Sequence, residues 1–233
     1  MTHLFKLNYF LISCFLFFTG YNILAQQPNK LLNSVYSKLN KAEDYSVDAH
    51  VKVDLPFIKM LPINAKIYYK QKNKFKVDTR SIALVPRQGF VQLTRLIADT
   101  NGYTAVQQGS ELINNVRTAI INIIPLSDTS DIILGKLWIN EKLEIITKSQ
   151  ITTKSNGTIL TEYTYGSQIG YGLPDVMRFE IDVKKFKIPK GVAADINTTK
   201  AKAKENPAKK GVIIITLTNY VVNKGIPDSI FKK

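Results

Sequence analysis

Sulfur and imidazole are scarce in this sequence. Among 233 residues there is one cysteine, Cys14, one tryptophan and two histidines. Beyond residue 25 the histidine that remains is His50, so a zinc site, which takes three or four His, Cys or carboxylate ligands, has little to be built from. A Cys–His pair is excluded, and a Ser–His–Asp triad has His50 as its sole candidate base. His50 alternates with Asp48 and Asp54 along one polar stripe, and a solvated strand face accounts for all three residues more simply. A glycine-rich phosphate loop is also missing, because Gly166, Gly170 and Gly172 fall in a tyrosine-bearing turn rather than between a strand and a helix. Asp128 with Asp131, and Glu141 with Glu144, flank turns, where acids cap or solvate; paired acids for glycoside chemistry would have to meet from separate strands. No catalytic residues, metal or cofactor are expected.

Acid is in short supply as well: 32 basic residues stand against 18 acidic ones, a net charge of +14. In a cytoplasmic chain that balance raises nucleic acid as a partner. The first 25 residues argue for export instead. Lys6 supplies a basic start, Tyr9 to Leu24 is almost uniformly apolar, and Ala25 precedes Gln26-Gln27-Pro28. This is the pattern of a signal peptide cleaved after Ala25, too short to span a membrane. Leu11-Ile12-Ser13-Cys14 has the spacing of a lipoprotein box, but Phe15-Leu16-Phe17-Phe18 carries the apolar run past the point where a lipidated cysteine should close it. A periplasmic protein is expected, with anchoring at Cys14 the less favoured route and nucleic acid not a partner. Outside the cytoplasm the basic surface meets anionic lipid headgroups; a plain soluble surface explains the charge equally well. Disulfides are ruled out once Cys14 is removed, and 45% hydrophobic residues suffice for an ordinary core in one domain over 26–233.

Pro28 to Glu43 reads as a helix, with Leu31, Leu32, Val35, Tyr36 and Leu39 on one stripe. From Tyr45 the period becomes two: Tyr45, Val47, Ala49, Val51, Val53 and Leu55 alternate with polar residues. Ten more strand runs follow, over 63–70, 74–79, 103–107, 111–113, 116–124, 132–139, 143–153, 158–165, 176–188 and 211–222. Hairpin residues such as Gln108-Gly109, Asn114-Asn115 and Ser155-Asn156-Gly157 punctuate them. The expected fold is mainly β with few helices: a curved antiparallel sheet, or unclosed β-barrel, of about eleven strands with a helical lid. The lid comes from Arg80 to Gly102, where Phe90, Leu93, Leu96 and Ile97 recur at helical spacing. Residues 189–210 are rich in Lys, Ala, Asn and Thr without apolar period, and read as a basic, flexible insertion between two strands.

Two strands are apolar on both faces, which a sheet with one wet side does not need. Val116, Ile120 and Ile124 oppose Ala119, Ile121 and Ile123, while Ile132, Leu134 and Trp138 oppose Ile133, Leu137 and Ile139. One face is expected to pack a core or lid and the other to line a cavity; helices over one face and a loop over the other is the alternative.

The order of these pieces resembles the LolA/LolB-like family of periplasmic lipoprotein carriers. The resemblance rests on the helix ending near Asp44-Tyr45-Ser46-Val47, on Ala65-Lys66-Ile67-Tyr68-Tyr69-Lys70 with Asn73-Lys74-Phe75-Lys76-Val77, on Leu137-Trp138-Ile139-Asn140, on Asn156-Gly157-Thr158, and on Phe186-Lys187-Ile188-Pro189-Lys190-Gly191-Val192. It implies an unclosed barrel whose concave apolar face, capped by helices, takes acyl chains of a lipid or lipoprotein. The insertion departs from the common pattern. The arginine that ties barrel to lid in such carriers has Arg80, Arg87 and Arg95 as local candidates. The lipid-binding face is expected to comprise Val51, Val53, Ile67, Tyr69, Ile121, Ile123, Leu137, Ile139, Tyr163, Tyr165, Phe179 and Ile181, with Leu93 and Leu96 above them. A one-residue slip would turn any of these strands inside out. A monomer is expected, and an open cavity should tolerate a charge at Ile121 or Leu137. The rival functions are a protein-interaction or sensor module on the same curved sheet and, less favoured, a hydrolase built on His50.

Overall fold

The computed structural model describes residues 28–55, 58–72, 74–79, 90–113, 115–155, 157–181 and 210–232, the side chains of 58–59 and 90–92 excepted. Helix α1 (Pro28–Asn40) precedes strands β1 (Asp44–Leu55), β2 (Ile58–Lys59), β3 (Ile63–Lys70) and β4 (Lys74–Asp78). Helix α2 (Phe90–Ala98) follows, then β5 (Tyr103–Ile113), β6 (Val116–Pro125), β7 (Ile132–Asn140), β8 (Ile145–Thr153), β9 (Gly157–Thr164), β10 (Val176–Ile181) and β11 (Gly211–Val222).

All strand pairs are antiparallel, in the order β4-β3-β1-β11-β10-β9-β8-β7-β6-β5, with the two-residue β2 added to β1. The curved, unclosed sheet expected from the sequence is therefore present. Its two edges, β4 and β5, are neighbours in sequence but lie at opposite ends of the sheet, and the segment joining them carries α2.

The inner face is legible as one line of side chains. Val53 lies opposite Ile213, Ile213 opposite Phe179, Phe179 opposite Thr161, Thr161 opposite Ser149, Ser149 opposite Leu137, and Leu137 opposite Ile121. Seven strands thus turn the same parity inward, and α1 presses Leu31, Leu32, Val35 and Leu39 onto that face while α2 adds Leu93 and Ile97. Burial of this face against the helices is the main stabilising contact, at roughly 25 cal/mol per Å² of apolar surface removed from water.

The strand boundaries depart from the sequence pattern at identifiable places. The runs 103–107 and 111–113 are one strand, because Gln108-Gly109 makes a β-bulge rather than a turn, with Gly109 at φ +131° where a side chain would be strained. Strand β2 was not foreseen from so short a run. β8 starts at Ile145 rather than Leu143: the Asn140 side chain accepts from the Lys142 and Leu143 amides, and Glu144 takes a positive φ. α1 stops at Asn40 rather than Glu43, since Asn223 Oδ1 accepts from the Glu43 amide at 2.8 Å and leads the chain into β1. The expected strand portion beyond Ile181 and most of the 189–210 insertion lie outside the described residues, as do the export segment and Cys14.

Candidate functional site: the helix-capped inner face and its cleft

The fourteen side chains expected to form the lipid-binding face all belong to, or pack against, one continuous apolar cluster. Val51, Ile67, Leu93, Ile121, Ile123, Leu137, Ile139, Tyr163, Phe179 and Ile181 are buried in it, while Val53, Tyr69, Leu96 and Tyr165 are partly buried against it. Every strand in the set turns the expected parity inward. What the inner face is packed against is different: α1 and α2 sit directly on it, so Ile121, Ile123, Leu137 and Ile139 have no exposed surface. They are close-packed core in this state, and the expectation that Ile121 or Leu137 would tolerate a charge gives way to that burial.

The second apolar face of β6 and β7 is turned away from the helices. It is the outer face, where Ile124 is 45% exposed; Ile133, expected on the face of Leu137 and Ile139, is 50% exposed because β7 bulges between Ile132 and Leu134, which turns Ile132 onto the core in its place. Trp138 is buried on the outer face by lysine stems: the Lys136 and Lys148 ammonium groups stand 4.8 and 5.0 Å from its ring centroid. Long cations thus cover part of this apolar face.

One open space lies between the C-terminal halves of the two helices, beside the start of β1. A cleft of about 600 Å³ is bounded by Tyr36, Leu39 and Asn40 of α1, Tyr45 of β1, Tyr69 of β3, Gln71 and Lys72 of the following turn, Thr94, Arg95, Ala98 and Asp99 at the end of α2, and Leu173. Of the fourteen expected residues Tyr69 alone is among these. The size falls in the ordinary range for small-molecule pockets. Its floor is aromatic: Tyr45 stacks on Tyr69 with centroids 5.0 Å apart and leans on Tyr220 at 5.9 Å. One wall is braced by Gln71, whose side-chain amide donates to the Asn40 carbonyl at 2.9 Å and ties the β3–β4 turn to α1. Another depends on Gly172, at φ +66°, where an added Cβ would come 3.3 Å from the Leu39 side chain.

Burial holds Tyr45, Tyr69 and Tyr220 neutral. Burial raises the Tyr45 and Tyr220 phenols, and pushes Tyr163 up to about 12. Burial also raises Tyr69, with the neighbouring Tyr36 adding to it and the Arg95 guanidinium opposing it. Phenols held neutral supply polarity without charge, which suits a wall of mixed polar and apolar side chains. Tyr220 donates to the Pro174 carbonyl at 2.7 Å and Tyr165 to the Ile146 carbonyl at 2.6 Å, so their hydroxyls are spent on the scaffold.

Four of the residues weighed for catalysis, His50, Asp48, Asp131 and Glu141, have structural partners. His50 Nδ1 lies 2.7 Å from Asn64 Oδ1 across the β1–β3 pair, and Asp48 meets Lys66 at 3.7 Å and Asn219 at 3.0 Å. Asp131 accepts from the Ser155 amide and hydroxyl, tying the β8–β9 turn to the segment before β7, and Glu141 faces Arg117 at 3.7 Å. Among the described residues no three His, Cys, Asp or Glu side chains group as metal ligands, and no helix is long and apolar enough to cross a membrane. Arg95 sits on α2 at the cleft, whereas Arg80 and Arg87 lie outside the described residues.

Sequence reasoning had found Tyr36 and Leu39 on the α1 stripe and Tyr45 in the β1 alternation without assigning them to a site. No local signal joins them to Arg95, because the cleft is assembled from segments far apart in the chain.

No family model matches the sequence, and no curated protein matches it. Solved structures match it in fold. A LolA superfamily protein from Nitrosomonas europaea superposes with a TM-score of 0.58 at 12% identity, over 89% of this chain and 98% of that one. A DUF1329 family protein from Desulfovibrio piger gives 0.57 at 10% identity, over 88% and 97%. An outer membrane lipoprotein-sorting protein domain from Vibrio parahaemolyticus gives 0.55 at 7% identity, over 89% and 97%. The chain has the fold of these LolA-like proteins, as the sequence resemblance implied, and the likeness is one of fold.

Proposed function

We propose that this protein binds lipid through acyl chains, either of a free lipid or of the acylated end of a lipoprotein, and holds or carries it in the periplasm without catalysing a reaction. The observation that carries this reading is the tyrosine-floored cleft between two helices laid on the inner face of an unclosed sheet. The fold shared with LolA superfamily and lipoprotein-sorting proteins supports it. Each methylene withdrawn from water contributes about 0.8 kcal/mol, so one chain in the cleft is held without covalent chemistry. In this reading the basic surface, at net charge +14 for the whole chain, brings the monomer to anionic membrane headgroups. Export follows cleavage after Ala25, which leaves one domain over 26–233. Detection of a diacylglycerol-modified Cys14 would instead make the protein membrane-anchored.

The test is mass spectrometry of organic extracts from protein purified gently from its own periplasm. Acyl lipids recovered in stoichiometric amount support the proposal, and their absence together with failure to bind any acyl probe rejects it. A second reading, a protein-interaction or sensor module, draws on β5, which among the described residues is an edge strand paired on one side and exposes Val106 and Leu112. A partner captured through β5 with an empty cleft would favour it.

A further inference from the structure

Three turns far apart in the chain are tied together beside the cleft. The Asn223 side chain, after β11, accepts from the Glu43 amide at 2.8 Å and donates to the Lys41 carbonyl at 2.8 Å. Gln71, after β3, donates from its backbone amide to the Glu43 carbonyl at 2.8 Å and from its side chain to the Asn40 carbonyl at 2.9 Å. These bonds make one platform of the α1–β1 turn, the β3–β4 turn and the turn after β11. Asn40, Gln71 and Lys72 of that platform border the cleft.

Its charge is one-sided. Among the described residues of these turns, the exposed charged side chains are Lys41, Lys72 and Lys224 against Glu43. Asp44 is buried, and its carboxylate accepts from the Gly225 amide at 3.1 Å. On the flank, Lys70 and Lys74 share the carboxylate of Asp228, which leaves that side positive as well. The other wall of the cleft, at the end of α2, carries a charge of each sign in Arg95 and Asp99. The opposite end of the sheet is mixed: Lys52 stands near Asp54, Asp131 holds the Ser155 amide beside Lys154, and Lys210 meets Glu180 at 3.3 Å.

Resting on the lipid-binding reading, we propose that this platform docks on an anionic bilayer and so sets the mouth of the cleft against the membrane surface. Lysine ammonium groups are drawn to a negatively charged leaflet within a Debye length, each strengthening binding about fivefold. A chain that crosses open water between bilayer and cleft exposes its methylenes; with the mouth on the headgroups it passes without that exposure. This favours a bilayer over an acidic protein as the occupant of the basic rim.

The test uses the full mature chain, vesicles of phosphatidylcholine with and without phosphatidylglycerol, and a long-chain fatty acid bearing a terminal pyrene. The protein should bind the vesicles that contain phosphatidylglycerol, and added salt should release it. Lys41→Gln and Lys224→Gln should each weaken that binding about fivefold, and together about twenty-five-fold. The pair Lys52→Gln and Lys154→Gln removes the same charge at the opposite end and should leave binding within about twofold of the parent. The rim pair should also slow transfer of the pyrene fatty acid from anionic vesicles to the protein, while affinity for it in solution and circular dichroism stay as in the parent. Absence of vesicle binding would overturn the proposal. Equal losses for the two pairs would overturn it too, because net charge and not the rim would then hold the membrane. Rim-dependent binding to polyglutamate without binding to vesicles would assign the rim to an acidic protein and reject the bilayer. In each of these cases retained pyrene fatty acid binding leaves the acyl reading standing, and its absence in the parent removes that reading itself.

Discussion

The hydroxyls of Ser149 on β8 and Tyr163 on β9 lie 2.9 Å apart within the apolar inner face, both side chains buried. Thr161, directly opposite Ser149, adds a third buried hydroxyl. A polar pair in this position is tolerable only because it is mutually satisfied. Tyr163→Phe should therefore cost about 1 kcal/mol of unfolding free energy by orphaning Ser149. Ser149→Ala combined with Tyr163→Phe should cost less than the sum of the two single changes, and chemical denaturation of the four proteins measures the coupling. Strict additivity would mean the hydroxyls do not depend on each other. Acyl-probe affinity should be unchanged throughout, because neither residue borders the cleft.

Asp228 clamps the C-terminal turn onto the β4 edge. Its carboxylate meets the Lys70 ammonium at 2.8 Å and that of Lys74 at 2.6 Å, while Lys76 donates to the Ile230 carbonyl at 2.7 Å. These lysines hold its carboxyl at about 2, below the ordinary aspartate value. A depressed carboxylate stabilises the clamped form fully above its unfolded value of about 3.9, and that contribution is lost as pH falls toward the folded value. Hydrogen exchange of residues 226–232 should accelerate over that interval. Asp228→Asn should show the fast exchange already at neutral pH, and unchanged exchange in this variant would mean the clamp is made elsewhere.

Parity explains how much of this molecule was readable in its sequence. Alternation from Tyr45 to Leu55 names the inward residues of β1 once one of them is known to be buried, and the same holds for Phe179 and Ile181 on β10. The pattern misleads where the backbone inserts a residue, as at Gln108-Gly109, because a bulge and a turn draw on the same residue types. It also cannot say what covers a face. Ile120 and Ile121 look alike in sequence, yet Ile121 is under helices while Ile120 is half-buried beside Trp138 on the outer side. The cleft was hidden for a further reason: Tyr36, Tyr69 and Arg95 meet only through tertiary packing, and no spacing rule links them.

The ends of β10 and β11 bear on the basic segment between them. Ile181 lies directly opposite Gly211, so the two strands are positioned for a short hairpin connection. Deleting residues 190–209 and closing with a short linker, while keeping Lys210 and its 3.3 Å contact with Glu180, should leave the thermal midpoint within about 3 °C of the parent. A drop much larger than this would show that the segment packs against the sheet.

The contrast between Ile121 and Tyr69 separates core from site. Ile121 faces Leu137 across β6 and β7 with neither side chain exposed, whereas Tyr69 is partly buried and borders the cleft. Ile121→Asp and Leu137→Asp should each cost about 4 kcal/mol or more, because a carboxylate would be left among alkyl groups without a partner. Tyr69→Ser removes aromatic surface at the edge of solvent and should cost only about 1–2 kcal/mol. The same change strips the floor from the cleft, so acyl-probe affinity should fall about tenfold in a protein that remains folded. Thermal melts and probe titrations on the three variants decide the matter. A folded Ile121→Asp protein with lost probe binding would mean that the helices part and the chain lies on the inner face itself. A folded Tyr69→Ser protein with full affinity would move the binding site away from the cleft.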